Sequence, residues 1–467
     1  MDEFPFLTLT QLIAALQTGE VTPWELTHRH LAHLERFNDR LKAFLLITKE
    51  RAQIEAEEVF QPGGPSGLLQ GIPYAVKDLF DVEGVPTTAG SRLLSTNIAL
   101  KDSAAVQRFS KAGMILLGKT HTVQFAFSGV GINHDQGTPL NPWMSSPYVP
   151  GGSSSGSAVA VASGMVPVAL GTDTGGSVRI PAALCGVVGL KTTVGRISRS
   201  GVYPLSWTLD SIGVLTRTVE DAALAYRILQ GSDPADPVTL NVPFPDKLNR
   251  LKAGLQGLRL AFGETVFFDE VDPEVAQAVR ETAPVFQSLG ARVSRMELPE
   301  VAEAQASPKR ALMIAAEACV TNERLLNEHL KELDPVVAER MIAGRTLSAP
   351  EYLMELHRWK DLRRRIMHTL KDIDALLVPT AMIPAKPLNE VEASAEAYRR
   401  FNAKYLRNTS LGNILNLCAV SLPCGFTREG LPIGLMIYAK PFQEELALQI
   451  AYAYEQATPW HTYHPPL

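Results

Sequence analysis

One short stretch of the chain has residue types that suit nucleophilic chemistry. GTDTGGSVRIP occupies residues 171–181 and places Ser177 directly after two glycines. Glycines allow backbone N–H groups to crowd around the atom that a serine attacks. A nucleophilic serine needs a base, most often a histidine, but no histidine lies between His134 and His329. The base for Ser177 is therefore expected from another residue type.

A lysine at the end of an apolar segment is the first candidate for this base. In PYAVKDLFDV (73–82), Lys77 follows a predicted buried strand. Burial can hold a lysine neutral, so that it accepts a proton, and an unpaired lysine in such a place is costly without a function. The segment alone leaves open that Lys77 reaches the surface or pairs with Asp78 or Asp81.

A second glycine-rich segment, PGGSSSGSAVAVASG (150–164), lies upstream of Ser177. A flexible linker is one interpretation, but linkers are not normally followed by so apolar a run. A glycine-rich turn that leads into a helix directs N–H groups at an anion or oxyanion. The phosphate-binding lysine of G-x-x-x-x-G-K-[ST] is absent, and no buried strand precedes Ser154 as a nucleophile elbow requires. We therefore predict a turn that leads into a helix.

Taken together, these segments resemble the amidase signature family. The resemblance rests on Lys77 in GIPYAVKD, Ser153 in GGSSSGSA and Ser177 in GTDTGGSVRIPAALCGVVGLKTT. It runs from about residue 65 to 220 and returns in DALLVPT and in SLPCGF…GLPIGLMI. It implies that Ser177 attacks an amide carbonyl, Ser153 relays the proton and neutral Lys77 accepts it. It also implies a cis peptide bond before Ser153.

The resemblance assigns roles to the neighbours of Ser177 as well. The oxyanion hole is expected from backbone N–H groups of Thr174, Gly175, Gly176 and Ser177. Supporting roles are expected for Ser154, Asp173 and Arg179. The alternative for Asp173 and Arg179 is a simple surface ion pair.

Apolar runs and helix signals alternate along most of the chain. Nine strands are predicted, at residues 43–48, 73–76, 114–120, 166–172, 258–263, 291–298, 374–380, 419–426 and 431–439. Helices are predicted from capping boxes at Thr8 and Thr22, at 102–113 and 157–164, and after Asp272. This alternation predicts an α/β fold with helices on both faces of a mixed or parallel sheet. The resemblance specifies a three-layer α/β/α sandwich around a large, mixed, mostly parallel twisted sheet.

The same pattern predicts one amidase domain over residues 1–467. Its signature core is expected at about 65–220, and a charged, mostly helical cap at about 303–370. QPGGPSG (61–67) is predicted as a loop. The proline-rich stretch 232–247 is interpreted as a long surface connection, because strand signals continue after it.

Composition excludes several classes of protein. Of 467 residues, 46% are hydrophobic and 20% charged, and the net charge of −5 disfavours nucleic acid and anionic membranes as partners. MDEFPF does not begin a signal segment, and no run of 18 apolar residues occurs. Four cysteines without a C-x-x-C pair are typical of a reducing compartment. We therefore expect a cytoplasmic protein without a nucleic-acid or membrane partner, and a homodimer is left open.

Neither a metal nor another cofactor is expected. His28, His30 and His33 crowd one predicted helix, but their spacing does not suit metal ligands, and a solvated helix face is the preferred interpretation. Cys185 lies in an apolar run and is predicted to be a packing residue rather than a second nucleophile.

The sequence thus predicts a hydrolase that cleaves a C–N bond of a carboxamide, an anilide, or a carbamate- or urea-type substrate through a seryl acyl-enzyme. Esterase or urethanase side activity is left open. One alternative is a glutaminase-type amidotransferase subunit that delivers ammonia to a partner. The SRYDGVRYG-like segment typical of that subunit is missing, and RALMIAAEACVTNERLLNEHL stands in its place. The other alternative is an inactive binding or scaffold protein of the same fold.

Overall fold

The predicted strands join one large sheet in the computed structural model, which describes residues 4–59, 61, 67–242, 244 and 248–467. Most of the predicted loop at 61–67 and part of the connection at 232–247 lie outside the described residues. Within them the strands are β1 Phe44–Ile47, β2 Pro73–Lys77, β3 Ile115–Thr120, β4 Val168–Asp173, β5 Val188–Lys191, β6 Ser211–Thr216, β7 Arg259–Gly263, β8 Arg292–Met296, β9 Ala375–Pro379, β10 Cys418–Phe426 and β11 Pro432–Ala439.

The strand order is β1-β3-β2-β4-β6-β5-β10-β11-β9-β7-β8. The mixed sheet is confirmed, but the expectation that it is mostly parallel is wrong. Only the pairings of β2 with β3 and β4, and of β7 with β8 and β9, are parallel, and the six others are antiparallel. Four of these six antiparallel pairings arise because β6 lies between β4 and β5, and β11 lies between β10 and β9. Each inserted strand separates two strands of one direction and pairs with both of them antiparallel.

Helices follow most strands, and several begin at the predicted caps. Thr8 and Thr22 both form capping boxes, and Asp272 caps the helix that starts at Pro273. The helices are α1 Leu9–Thr18, α2 Pro23–Leu41, α3 Lys49–Glu58, α4 Ala104–Lys111, α5 Ser155–Ala162, α6 Arg179–Cys185, α7 Val219–Leu229, α8 Pro273–Arg280, α9 Thr282–Ser288, α10 Pro299–Ala306, α11 Arg310–Thr321, α12 Glu323–Glu328, α13 Pro335–Ala343, α14 Ala349–Thr369, α15 Leu388–Val391, α16 Ala395–Ile414 and α17 Glu444–Gln456.

Both faces of the sheet are covered, which gives three layers. Successive strand residues point to opposite faces, so Tyr74 and Val76 pack in one hydrophobic core while Ala75 packs in another. The first core contains residues of α1, α4, α7, α8 and α17. The second contains residues of α2, α3, α5 and α6. The three-layer α/β/α sandwich is therefore confirmed.

The charged region predicted as a helical cap at 303–370 consists of α10 to α14 in the structure. Its helices α11 and α13 pack against each other and against residues of the 79–127 and 203–205 segments. No helix among the described residues is long and apolar enough to cross a membrane.

Candidate active site

Lys77 is the last residue of β2 and is fully buried. Its Nζ donates hydrogen bonds to Ser153 Oγ at 2.7 Å and to Thr172 Oγ1 at 2.9 Å. Asp78, one of the two acids considered as a partner, instead pairs with Lys119 at 2.6 Å. Lys77 is therefore not a surface residue and, within the described part of the chain, forms no ion pair.

The environment of Lys77 changes its protonation. Burial lowers the pKa of Lys77 to about 7, and the charges of Asp210 and Asp173 oppose this shift only in part. A lysine with an ordinary pKa of about 10.4 is almost entirely protonated at neutral pH. Lys77 is instead divided between ammonium and neutral amine near pH 7, and the neutral amine can accept a proton.

Ser153 lies in the glycine- and serine-rich turn before α5. The peptide bond between Gly152 and Ser153 is cis, as the resemblance implied. The Ser153 carbonyl accepts a hydrogen bond from the N–H of Val123 at 3.3 Å, and the N–H of Ser154 donates to the Ser177 carbonyl at 3.1 Å. The backbone thus joins the Ser153 turn directly to the Ser177 turn.

Ser154 has a structural place in this turn. Its side chain is fully buried, and its Oγ donates to the carbonyl of Thr172 at 3.4 Å. The turn leads into α5 at Ser155, as predicted, and every residue of α5 is buried. The interpretation of 150–164 as a flexible linker is therefore wrong.

Ser177 occupies the turn between β4 and α6 and lines a cavity. Its side chain is nearly buried, and its hydroxyl makes no hydrogen bond to any residue that the structure describes. The Ser177 hydroxyl is thus directed at a space that a substrate can fill, rather than held by the protein.

The cavity has a volume of about 350 Å³ and lies between the Ser177 turn, the helical cap and α16. Besides Ser177, its described lining consists of Ala126, Phe127, Ser128, Thr174, Gly175, Leu205, Leu209, Arg310, Ala311, Ile314, Val336, Arg340, Tyr398, Arg399, Asn402, Ala403, Leu406, Arg407, Ser410 and Ile414. Its size suits a small molecule with an apolar part.

Asp173 and Arg179 form a fully buried ion pair under the Ser177 turn. Arg179 Nη2 lies 2.8 Å from Asp173 Oδ1, and Arg179 Nε donates to Asp173 Oδ2 at 3.0 Å. Asp173 also accepts the backbone N–H groups of Gly176 and Val178 and the Nδ2 of Asn413. Burial by itself raises the pKa of Asp173, but the charge and hydrogen bonds of Arg179, the charge of Lys191 and the hydrogen bond from Asn413 hold it well below its usual range. The pair is not a surface pair, and it fixes the backbone of the turn.

We expect Asp173→Asn to destabilise the protein by about 3–5 kcal/mol, because Arg179 then remains buried without its counter-charge. Urea unfolding followed by fluorescence and by residual activity measures this loss. The double variant Asp173→Asn/Arg179→Met removes the unpaired charge and should recover part of the stability. A single variant as stable as the parent protein would contradict this role of the pair.

The backbone N–H groups near Ser177 divide into two sets. Those of Thr174, Gly175 and Ser177 donate to none of the described residues, whereas that of Gly176 donates to Asp173 Oδ1 at 2.9 Å. The Asp173 carboxylate thus accepts the Gly176 N–H, and a contribution of Gly176 to the oxyanion hole stays a prediction. Gly176 has φ +135°, and a Cβ there would lie 2.1 Å from the Thr409 side chain. Because Gly176 has no side chain, α16 can pack closely against the Ser177 turn.

Three functional positions were not found from the sequence. Thr172 is a hydrogen-bond partner of Lys77. Asp210 accepts a hydrogen bond from the Thr174 hydroxyl and from the N–H groups of Leu205 and Ser206. Asn413 binds both members of the ion pair, as its Oδ1 accepts from Arg179 at 2.6 Å and its Nδ2 donates to Asp173 at 2.9 Å. For Thr172, a polar residue at the end of the apolar run VPVALGT was the only available signal.

The histidines of α2 do not form a metal site. Each ring is hydrogen bonded to a backbone carbonyl: His28 to Trp24, His30 to Met165 and His33 to Ser163. The expectation of a solvated helix face is wrong for His30, which is buried where α2 packs on the turn after α5, and burial lowers its pKa to about 4. The described residues contain no group of three or more His, Cys, Asp and Glu able to hold a metal ion.

Cys185, at the end of α6, is fully buried, and burial raises the pKa of its thiol. Its Sγ contacts the carbonyl of Pro150 at 3.4 Å. These contacts agree with a packing residue.

The chain matches known proteins over nearly all of its length. The family model for Amidase matches residues 25–448. The chain is 38% identical to an amidase of Pseudomonas putida, with 100% of this chain and 99% of that protein covered. It is 36% identical to a glutamyl-tRNA(Gln) amidotransferase subunit of Cyanothece sp., with 98% and 100% covered. A solved structure of 6-aminohexanoate cyclic dimer hydrolase with its substrate superposes with a TM-score of 0.89 at 26% identity, covering 100% of this chain and 99% of that one.

Family, fold and the amidase names of these relatives agree with the chemistry that the sequence predicted. The inactive-scaffold alternative is not supported by them. The chain belongs to the amidase family and is an enzyme that hydrolyses the C–N bond of amide-type substrates.

Proposed function

We propose that Ser177, Ser153 and Lys77 carry out this hydrolysis as nucleophile, proton relay and base. The observation that carries the proposal is the 2.7 Å hydrogen bond between the Lys77 amine and the Ser153 hydroxyl, beside a cavity lined by Ser177. Neutral Lys77 accepts the Ser153 proton while Ser153 takes the proton of Ser177, and the Ser177 oxygen attacks the carbonyl carbon. The proton then returns through Ser153 to the leaving nitrogen, and the C–N bond breaks.

The acyl-enzyme formed in this step is an ester of Ser177. Water, deprotonated through the same relay, attacks the ester carbonyl and releases the acid, so that Ser177 and Lys77 return to their starting states. We propose that the N–H groups of Thr174, Gly175 and Ser177 stabilise the oxyanion in both steps, where each good donor contributes about 3–4 kcal/mol in comparable sites. Asp173, Arg179 and Ser154 support this geometry by fixing the two turns.

A panel of anilides, primary amides, esters and carbamates, scored for released amine or alcohol, tests the proposal. Amine release from at least one amide, with an acyl group trapped on Ser177 by rapid acid quench, is the expected result. Hydrolysis without any acylated Ser177 would contradict the nucleophile assignment.

Activity is expected to be independent of metal ions, because the proposed oxyanion donors are backbone N–H groups and the proposed base is an amine. Enzyme treated with EDTA and passed over a desalting column should keep its full rate of amine release. An activity lost on this treatment and restored by zinc would contradict the proposed chemistry.

The amidotransferase alternative is distinguished by its substrate. The 36% identity to a glutamyl-tRNA(Gln) amidotransferase subunit favours testing it. The protein alone and with added amidotransferase partner subunits should release no more ammonia from glutamine than the Ser177→Ala variant does. Glutamine hydrolysis that rises with the partner subunits would instead support the ammonia-delivering role.

We also propose one amidase domain for residues 1–467, since the strands of the described chain all belong to a single sheet. A cytoplasmic location is supported by the four cysteines, which are buried free thiols. The homodimer stays a prediction that size-exclusion chromatography with light scattering measures.

A further inference from the structure

The cavity beside Ser177 is lined by four arginines and, among the described residues, by no aspartate or glutamate. The rest of its wall is largely apolar, with Phe127, Leu209 and Ile314 among its members. A guanidinium in apolar surroundings is poorly hydrated, and its charge is costly without a nearby anion. The positive charge of this cavity therefore needs either a protein partner for each arginine or an anionic ligand.

Three of the four arginines have protein partners. Arg399 forms an ion pair with Glu339. Arg340 donates to the Phe127 carbonyl, and its guanidinium lies 4.1 Å from the centre of the Phe127 ring. The third, Arg407, donates to Asn408 Oδ1 at 3.0 Å and to the carbonyls of Phe267 and Asp269.

Arg310 is different. It begins α11, and its guanidinium forms neither a hydrogen bond nor an ion pair with any of the described residues. Its Nη1 atom is buried and without a partner. Burial lowers the pKa of Arg310, and no acidic group opposes that shift. Burial also lowers the pKa of Arg407, and the charge of Arg310 lowers it further although Asp269 and Glu270 oppose the shift. The Arg310 and Arg407 charges thus repel each other across this part of the cavity.

We propose that the enzyme acts on amides that carry a carboxylate, and that Arg310 binds this carboxylate within the Ser177 cavity. The inference rests on the proposed function, because Ser177 marks the place of the scissile bond. A guanidinium binds a carboxylate through two parallel N–H···O bonds, and a carboxylate at Arg310 satisfies the buried Nη1. It also places a negative charge beside both Arg310 and Arg407, which removes their repulsion.

Two pairs of anilides test this inference. Succinanilic acid and its neutral methyl-ketone isostere, 4-oxopentananilide, place the charge on the acyl side of the scissile bond. 4-Acetamidobenzoate and 4-acetamidoacetophenone place it on the amine side. The released aromatic amine gives kcat and KM for each compound. For at least one pair we expect a KM for the anionic member that is about tenfold or more below that of its neutral isostere.

Substitution of Arg310 should remove this preference. Arg310→Gln is expected to raise the KM for the preferred anionic anilide about ten- to a hundredfold, with kcat changed much less and the neutral isostere barely affected. Arg310→Lys keeps the charge but loses the paired geometry, so its effect should be intermediate; it also serves if the glutamine variant does not fold. Arg324→Gln is the matched control, because Arg324 is an exposed arginine of the same helical cap that pairs with Glu328. It should leave both substrates unchanged.

Binding to the Ser177→Ala variant separates this inference from the proposed function. In calorimetric titrations of Ser177→Ala with the four anilides, the Kd of an anionic member should be lower than that of its neutral isostere. This difference in Kd should disappear in Ser177→Ala/Arg310→Gln. If neither these anilides nor any amide of the substrate panel is hydrolysed but this binding pattern holds, the carboxylate site stands and the proposed function fails. If anilides are hydrolysed or bound with no preference for either anionic member, or if Arg310→Gln weakens charged and neutral members equally, the carboxylate site is overturned.

Discussion

Ser177→Ala is expected to reduce amide hydrolysis by about four to six orders of magnitude and leave the fold intact. The large loss follows because Ser177 is the proposed nucleophile, and the hydroxyl of Thr174, which lies in the same turn on the described cavity wall, already donates to Asp210. The fold should survive because the Ser177 side chain makes no hydrogen bond within the described chain, and only one oxygen atom is removed. The amine released when the enzyme is in excess over the substrate measures the residual rate. The midpoint of urea unfolding measures the stability.

A fluorophosphonate probe adds a direct readout of the same residue. Mass spectrometry of labelled, digested enzyme should find the phosphonyl group on Ser177 and nowhere else. Ser410 is a matched control, since it also lines the cavity but its Oγ donates to the Arg407 carbonyl. Ser410→Ala should keep the label and Ser177→Ala should lose it. Label on Ser154 would instead support the nucleophile-elbow interpretation.

The sequence was most informative where a segment has to be both glycine-rich and directly followed by an apolar helix. The turns that hold Ser153 and Ser177 have that form. The family resemblance implied the cis bond before Ser153, and the structure contains it. Residues that act on these turns from distant parts of the chain were not predicted. Asn413 reaches Asp173 and Arg179 from α16, more than 230 positions away. Nothing in the local pattern of α16 distinguishes an asparagine that faces a buried ion pair from one that faces water.

A related limit applies to the backbone N–H groups of the Ser177 turn. A family pattern gives the order of backbone N–H groups, but it does not say which of them the protein itself has already used. The Asp173 carboxylate takes the Gly176 N–H, and this could only be seen once the turn was folded.

Strands β5 and β6 were not predicted from the sequence. The antiparallel pairings that they make at the centre of the sheet were therefore not predicted either. β5 has four residues and includes Gly189, which normally indicates a turn. A Cβ at Gly189 would lie 2.6 Å from the Ala182 side chain, so the glycine is needed for α6 to pack on the strand. Because α6 packs so closely on β5, this strand has a glycine at a position where a β-branched residue would have indicated a strand. With neither strand predicted, the sequence could not show that β6 enters between β4 and β5.

The pH dependence of amide hydrolysis is expected to rise through an ionisation near pH 7 and then stay level at alkaline pH. The sign follows from the role of Lys77 as a base: it must be neutral to accept a proton, and it becomes neutral as the pH rises through its folded pKa of about 7. An unshifted lysine, with a pKa of about 10.4, would place the same rise more than three pH units higher. Rates of amine release under kcat/KM conditions from pH 5 to 10 measure the position of this limb.

Substitutions of buried lysines identify the group responsible. Lys77→Ala is expected to lower the rate of amide hydrolysis about 10²- to 10⁴-fold. The rate of ester hydrolysis should fall less, because an alkoxide leaves with less help from a proton. Lys77→Arg should be as poor, because a guanidinium stays charged at every pH used. Lys191 is the matched control: burial lowers its pKa to about 8, but its Nζ donates to the carbonyls of Thr192 and Leu417, and it is not among the described cavity residues. Lys191→Met should therefore keep the limb near pH 7. If the rise in rate near pH 7 disappears in Lys191→Met and persists in Lys77→Arg, Lys77 is not the base. The proposed proton path through Ser153 is then contradicted as well.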